Sequence, residues 1–215
     1  MDAPAYRTMT QIATDAIKEM IITGAYPRGT RLIPQKLEAE LSLGRAAIRE
    51  ALRELQGQGL VVSVPNKGAI VASAIDPIEV REVFKIRYEL EGSVCEQAVM
   101  KISETEIAKL ERLNSDMAGY SEEPQQYMLL NRKFHLDFYR ASQLDFLRQI
   151  IGQIYDRFLG WRSVNSFHSQ EIARLVKSHQ ELLEAARARD GKKARKIVIE
   201  HLRMGYQSFL EGIDS

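Results

Sequence analysis

Residues 45–60 read RAAIREALRELQGQGL, and this stretch decides the fold predicted for the first third of the chain. Its apolar residues recur every three or four positions, as on the buried side of a helix: Ile48, Ala51, Leu52 and Leu55. Three arginines spaced four apart follow another face: Arg45, Arg49 and Arg53. A guanidinium is permanently charged, and its forked donors bond guanine edges in the major groove as well as phosphates. The stretch therefore predicts a helix that reads double-stranded DNA.

Two more helices are predicted upstream of this reader helix. Apolar positions between residues 8 and 23 recur at helical spacing, and Gly24 ends that segment. Pro34 then opens a short helix over residues 35–41, and only three residues separate it from Arg45. Two short helices joined by so short a connection predict a helix-turn-helix whose second helix is the reader.

The sequence changes period after the reader helix. Two β-branched runs, residues 61–64 and 69–71, flank the turn residues 65–68 and predict a β-hairpin, hence the wing of a winged helix. Lys67 at the tip would reach phosphate or the minor groove. Gly68 permits a positive φ and a close approach to nucleic acid.

An arginine face can also be a solvated surface that has no partner outside the protein. On that interpretation Arg49 and Arg53 pair with the neighbouring Glu50 and Glu54. The helix before the arginines and the hairpin after them favour DNA binding instead.

The composition sets broad limits on the protein. Of its 215 residues, 45% are hydrophobic, which supports a proper core and argues against disorder. Cys95 is the single cysteine, so an intrachain disulfide is excluded, and we expect a core residue in a reducing compartment. The chain shows neither a secretory signal nor an apolar run near the ~18 residues of a spanning helix. We therefore expect a cytoplasmic protein without a membrane partner.

Helical periodicity continues from Asp76 and Pro77 to the end of the chain, without a convincing strand. The breaks fall near Ser103 and near residues 121–124, 142–145, 163–169 and 190–191. They predict about six helices in an antiparallel bundle.

The predicted fold class is therefore mainly α, with two domains. Residues 1–73 form a winged helix-turn-helix of three helices and a β-hairpin, and residues 74–77 form a linker. Residues 78–215 form the all-helical bundle.

Polar residues interrupt three apolar stripes of this bundle. Asn131 and His135 lie one turn apart in one helix, and His179 and His201 stand in the stripes of two later helices. A lone histidine on an apolar face is usually a hydrogen-bonded core residue, and that interpretation stays open. Burying three imidazoles is costly unless they are satisfied, and a shared divalent metal would satisfy all three. Imidazoles suit zinc or nickel, and the Asn131 oxygen could complete the ligand set.

Arg87 is a charge on a predicted inward face. A buried guanidinium needs an anion, and either Glu91, one turn on, or the carboxylate of a bound effector could supply it. Arg162 is a second candidate for the effector carboxylate, although periodicity does not decide its orientation.

The first part of the chain resembles the winged helix of the GntR superfamily of bacterial transcription regulators. The matching segments are ITGAYPRGTRL, LEAEL, RAAIREALRELQGQGLV and VPNKGAIV. The resemblance implies that Arg45 and Arg49 read DNA and that Gly68 sits at the wing tip. The chain departs from the family at two turn positions: Ser42 stands where glycine is usual, and Gly44 stands where a capping serine is usual. Ala46 and Ala47 replace the commoner Thr and Pro.

The second part resembles the FCD ligand-binding domain of the FadR-like branch of that superfamily. The matching segments are IRYELEGSVCEQA, NRKFH, SHQELLEA and IEHL. The resemblance implies that Asn131, His135, His179 and His201 bind a metal that helps to hold a small carboxylate effector. Aspartate is usual where Asn131 stands, and a neutral amide is the poorer ligand, so a lower metal affinity is expected.

Together these features predict a DNA-binding regulator, not an enzyme, whose operator affinity depends on a small organic acid. We expect a homodimer on a palindromic operator, because one reader helix contacts too few bases. A metal-responsive regulator is one alternative, and a metal-dependent hydrolase that uses the three histidines is another. No nucleophile and base pair can be assembled from the spacing, and no glycine-rich phosphate loop is present.

Overall fold

The computed structural model describes residues 7–65, 68–72, 76–121, 123–161 and 169–211. The chain divides into two compact units. The first consists of Met1–Ala74 with Asp156–Trp161, and the second of Ile75–Tyr155 with Arg162–Ser215. Among the described residues, no helix combines the length and apolar character that crossing a bilayer requires.

The first unit contains the predicted helix-turn-helix. Its helices are α1 (Met9–Ile22), α2 (Pro34–Leu41) and α3 (Arg45–Gly57). Thr8 caps α1 through a capping box with Gln11, and Pro34 stands at the start of α2, where a missing backbone N–H costs nothing.

One apolar core holds these helices together. The arginine-bearing helix α3 contributes four buried residues to it: Ile48, Ala51, Leu52 and Leu55. They pack in one cluster with Ala13, Ile17 and Ile21 of α1 and Leu37 of α2. The buried face of α3 is thus the one predicted from its periodicity.

The first unit also contains a three-stranded antiparallel sheet. Its strands are β1 (Arg31–Leu32), β2 (Val61–Val64) and β3 (Gly68–Val71), in the order β1-β3-β2. The hairpin of β2 and β3 was predicted. The two-residue strand β1 was not, because so short a segment carries no period; it pairs Arg31 with Ile70 and Leu32 with Ala69.

The second unit is entirely helical in its described part. Its helices are α4 (Pro77–Lys101), α5 (Glu104–Ala118), α6 (Pro124–Arg140), α7 (Asp145–Trp161), α8 (Ser169–Arg187) and α9 (Gly191–Glu211), except that the last residues of α7, Asp156–Trp161, are assigned to the first unit. The Asp76 carboxylate caps α4 by accepting from the Ile78 N–H, and Ser103 caps α5 through a capping box with Glu106. The predicted mainly helical fold class is confirmed.

The packing of the bundle brings distant segments of the chain together. Helix α4 packs along α9, α8 packs against α5 and α9, and α6 packs against α5 and α4. The largest fully buried side chains of this unit lie on α6: Tyr127, Phe134, Phe138 and Tyr139. The predicted core position of Cys95 is confirmed, since this free thiol is buried in α4.

Candidate DNA-reading face and histidine centre

The face of α3 opposite the core carries the three predicted arginines. Arg45, Arg49 and Arg53 are all exposed, because the core requires the opposite side of the helix. Arg45 Nε lies 3.9 Å from Oε1 of the half-buried Glu38 of α2, a distance at the limit of an ion pair. The Arg49 side chain forms no ion pair or hydrogen bond in the described part of the chain that would compete with a DNA contact.

The neighbouring glutamates behave differently from one another. Glu50 pairs with Arg53 at 3.2 Å. This ion pair is one that a solvated arginine face without an outside partner would show. Glu54 instead accepts a 2.6 Å hydrogen bond from the Thr14 hydroxyl of α1. The self-pairing therefore covers Arg53, and it leaves Arg49 available to a partner outside the protein.

The connection between α2 and α3 shows what the two unusual turn residues do. Ser42 has φ 53° and ψ 38°, the left-handed conformation that favours glycine. Gly44 is the N-cap of α3 and has no side chain to accept from the first-turn N–H groups. Both departures from the family pattern thus fall at positions with a defined backbone role.

The wing presents Gly68 as predicted from the turn sequence. Gly68 has φ +77°, and a Cβ placed there would meet no atom within 4 Å. Glycine is therefore favoured at position 68 because of the positive φ, and not because a side chain there would lack space. Lys67 lies outside the described residues.

The three predicted metal-ligating histidines converge inside the bundle. His135 of α6 and His179 of α8 are fully buried, and His201 of α9 is 5% exposed. His135 Nε2 lies 3.0 Å from His201 Nε2 and 3.2 Å from His179 Nε2. Of the described residues, these three alone form a cluster of metal-ligating side chains.

Aromatic packing holds the imidazole rings in place. Phe134 lies against His179 with ring centroids 4.2 Å apart, and Tyr155 stacks on His135 at 5.7 Å. Sequence position alone does not reveal these contacts, because Tyr155 comes from a different helix.

An asparagine fixes the protonation of His179. Asn114 of α5 donates from Nδ2 to the Val176 carbonyl oxygen at 3.0 Å, so its Oδ1 is the atom that faces His179. That oxygen lies 3.0 Å from His179 Nδ1 and can only accept. His179 therefore carries its proton on Nδ1 and directs the Nε2 lone pair at the other two rings.

A second chain of hydrogen bonds, through Tyr139, places the proton of His135 on Nδ1. The Tyr139 hydroxyl donates to Glu91 Oε2 at 3.0 Å, so its oxygen accepts from His135 Nδ1 at 3.4 Å. The Nε2 atom of His135 is then also a bare lone pair. Two lone pairs 3.2 Å apart repel each other unless a cation lies between them.

Burial keeps all three imidazoles neutral. Loss of solvent lowers the pKa of His135 and of His179 well below 6.5, and a charge on His201 would lower them further. Burial, with the Arg87 charge, lowers the pKa of His201 to about 3. Protonation therefore cannot relieve the facing lone pairs at neutral pH.

The arrangement fits a divalent metal. Two nitrogens bound at about 2.0–2.1 Å with ligand angles of 90–109° lie about 2.9–3.4 Å apart, the range in which the measured separations fall. Three neutral imidazoles suit zinc or nickel, and hydrogen bonds to the outer nitrogens are the usual support of such ligands.

Asn131 lies one turn before His135 on α6 and is half-buried. Its Oδ1 accepts a long hydrogen bond of 3.4 Å from the Tyr127 hydroxyl. Asn131 and His135 are four residues apart on α6, which is the spacing that the predicted ligand set requires. The role of Asn131 as a ligand stays a prediction.

Arg87 pairs with Glu91, the internal partner that the sequence offered as one of two possibilities. Its Nε donates to Glu91 Oε1 at 2.6 Å, and both side chains are buried. Burial alone would lower the pKa of Arg87, but the adjacent Glu91 carboxylate raises it above its ordinary value. Effector binding by Arg87 stays a prediction, and Arg162 lies outside the described residues.

Sequence reasoning did not identify Asn114 or Tyr139. Asn114 occupies an otherwise apolar stripe of α5 with Ile107, Leu110 and Met117. That pattern is the same signal that singled out the histidines, and it was available in the sequence. Tyr139 gave no such signal, because a tyrosine on an apolar face is ordinary core.

Comparison with known families assigns both halves of the chain. Residues 10–71 match the model of bacterial regulatory proteins of the gntR family, and residues 82–204 match the FCD domain. The second match alone covers more than half of the chain.

Relatives match along most of their own lengths as well. The HTH-type transcriptional regulator McbR of Escherichia coli K12 is 27% identical over 194 residues, which cover 88% of this chain and 87% of McbR. The uncharacterized HTH-type transcriptional regulator YdhC of Bacillus subtilis 168 is 25% identical over 188 residues, covering 86% and 84%.

The fold agrees with a solved structure of E. coli McbR/YncC. The TM-score is 0.83 at 23% identity, over 96% of this chain and 99% of that one. The gntR model describes bacterial regulatory proteins, and the named relatives are HTH-type transcriptional regulators. The chain therefore belongs to the GntR family of bacterial transcriptional regulators and carries an FCD domain.

Proposed function

We propose that this regulator binds a palindromic operator as a homodimer, and that a small carboxylate effector, held with a divalent metal in the FCD domain, controls its operator affinity. The observation that supports the metal most directly is the convergence of three neutral Nε2 atoms within the bundle. Residues 1–73 would bind DNA and residues 78–215 would bind the effector and dimerise.

The exposed face of α3 supports the DNA half of this proposal. Arg45 and Arg49 would bond base edges, and Arg53 would bond phosphate after leaving Glu50. Lys67 and Gly68 of the wing would lie against the backbone or the minor groove. Two copies are needed because a single reader helix covers only half of a two-fold site.

The effector half rests on charge. A divalent ion held by His135, His179 and His201 would bring two positive charges into a buried site to which the described residues contribute no carboxylate ligand. An anionic ligand oxygen would compensate this charge. Arg87 and Arg162 are the guanidinium groups that would bind the remainder of the carboxylate, and Asn131 would complete the metal's ligand set.

A metal-responsive regulator is the second candidate. The observation that favours it is the 2.6 Å pair between Arg87 and Glu91, because this pair satisfies Arg87 without any effector. On this alternative the ion itself is the signal, and the histidine centre is complete without an organic acid.

One experiment separates the two candidates. Metal-free protein is mixed with operator duplexes that the wild-type chain selects from a random library, and affinity is measured by anisotropy. Zinc or nickel is titrated first, and a panel of small carboxylates is then added both at fixed metal and in chelator without metal. A change in affinity that needs both additions supports the proposed function. A full response to metal alone supports the second candidate, and no response to either contradicts both.

A further inference from the structure

We infer that Asn114 is a positioning residue of the metal centre, which sets metal affinity by holding His179 in the one tautomer that can ligate. This inference rests on the proposed metal site and adds to it a residue of a fourth helix.

The first argument is the geometry of Asn114. Its side chain is 4% exposed and lies in the apolar stripe of α5, where an unpaired amide would be costly. Both ends of the amide are satisfied by α8: Nδ2 donates to the Val176 carbonyl oxygen, and Oδ1 accepts from His179 Nδ1, each at 3.0 Å.

The second argument is that the Val176 contact fixes which way the amide points. If the amide rotated by half a turn, its NH2 group would face His179 and its oxygen would face the Val176 carbonyl oxygen. Two acceptors would then oppose each other. The hydrogen bond to Val176 thus forces the acceptor toward His179, and the proton of His179 onto Nδ1.

The third argument is the contrast among the histidines. His179 has a close support at 3.0 Å, and His135 has a longer one from Tyr139 at 3.4 Å. His201 Nδ1 is buried and has no hydrogen-bond partner in the described part of the chain. Asn114 is therefore the strongest fixed point of the three-histidine arrangement.

The test compares two substitutions of similar size. Asn114→Leu removes the acceptor, whereas Asn114→Asp keeps an acceptor oxygen and gives it charge. Loss of an outer partner typically weakens metal affinity about 10–100-fold. We expect the Kd for Co²⁺, measured by chelator competition, to rise by that factor in Asn114→Leu and to stay within about threefold of wild type in Asn114→Asp.

Leu110→Ala is the matched control for stability. Leu110 is 3% exposed and lies one turn before Asn114 on α5, so its loss weakens the packing of the same helix without removing a hydrogen bond to a histidine. We expect a lower Tm and an unchanged Kd for Co²⁺ in this variant. Equal weakening by Asn114→Leu and Asn114→Asp, or weakening by Leu110→Ala to the same degree, overturns the positioning role.

A metal-free measurement separates this inference from the proposed function. The ¹⁵N chemical shifts of the imidazoles report the tautomer directly. Wild-type protein should show His179 protonated on Nδ1, and Asn114→Leu should show a mixture of tautomers. If the wild-type shifts place the proton on Nε2, the inference fails. If they place it on Nδ1 but Co²⁺ does not bind, the proposed metal site fails, and with it the role of Asn114 in metal affinity, whereas its control of the His179 tautomer stands.

Discussion

His135 Nε2 and His179 Nε2 lie 3.2 Å apart, although the two residues are 44 positions apart in the sequence and stand on different helices. Each ring donates its outer N–H elsewhere, to Tyr139 and to Asn114 respectively, so both inner nitrogens present lone pairs. Such a contact is repulsive in isolation and favourable around a cation. The geometry of the three rings therefore fits the divalent ion proposed above.

Replacing His179 by Ala should remove metal from the purified protein. The remaining two imidazoles do not enclose an ion, and metal content measured by elemental analysis should fall from about one equivalent to near zero. His168→Ala is the matched control, because this fourth histidine stands outside the predicted ligand set. Unchanged metal content in His179→Ala would refute the site.

Replacing Arg49 by Ala should abolish specific operator binding and leave the fold intact. The side chain is exposed and forms no ion pair or hydrogen bond with another described residue, so its loss should not disturb the fold. Loss of a bidentate base contact costs about 1–3 kcal/mol, or about 5- to 150-fold in affinity for each half-site. A gel shift at moderate salt measures the change.

Arg203→Ala controls for the loss of one positive charge. Arg203 is an exposed residue of α9 that pairs with Glu200, and it belongs to no predicted DNA contact. This variant should bind the operator like wild type. If Arg49→Ala also does so, the assignment of the reader helix is wrong.

Replacing Ser42 by Gly should stabilise the winged-helix unit. Ser42 has φ 53°, which costs a residue with a Cβ about 1–2 kcal/mol, and the greater chain entropy of unfolded glycine offsets about half of this. We expect a net gain of about 0.5–1 kcal/mol in the free energy of unfolding by urea titration. Ser42→Ala keeps the Cβ and should bring no gain, and an equal gain in both variants would argue against backbone strain.

The buried pair of Arg87 and Glu91 should show a strong coupling. Glu91→Ala leaves a buried guanidinium without its carboxylate, which costs about 3–5 kcal/mol. Arg87→Met combined with Glu91→Leu removes both charges and should recover part of that stability, because the Tyr139 and Tyr155 hydroxyls still lose their acceptor. The free energy of unfolding of the single and double variants measures the coupling. Additive losses would contradict this coupling.

The double variant also tests effector binding by Arg87. A carboxylate that still stabilises this variant against heat would show that Arg87 does not bind the effector.

Metal-free protein should lose stability as the pH falls below 6.5. The unfolded chain protonates its histidines near that pH, whereas burial holds the folded pKa of His135 and of His179 well below it and that of His201 at about 3. The unfolded state therefore binds more protons, and each such histidine costs about 1.4 kcal/mol per pH unit.

The pH effect is measured as Tm in chelator between pH 7.5 and 5.5, above the range in which carboxylates titrate. His201→Gln removes one titrating group and should give a shallower decline. A Tm that stays constant or rises over this interval would contradict the neutral, buried state of the three histidines.

The sequence by itself determined the elements and their faces. The spacing of Ile48, Leu52 and Leu55 against Arg45 and Arg49 fixes which side of α3 is buried, because a helix can hide only one stripe from water. The same reasoning placed His135, His179 and His201 on inward stripes, and it yields the breaks between the six helices of the bundle.

Only the tertiary structure decided which inward residues meet. Periodicity gives a residue its direction relative to its own helix axis, but the rotation and height of one helix against another depend on packing across the whole core. The contact of Asn114 with His179, the stacking of Tyr155 on His135 and the pairing of Arg31 with Ile70 are all of this kind. Local pattern does not encode them, because each depends on side chains from separate segments filling one shared volume.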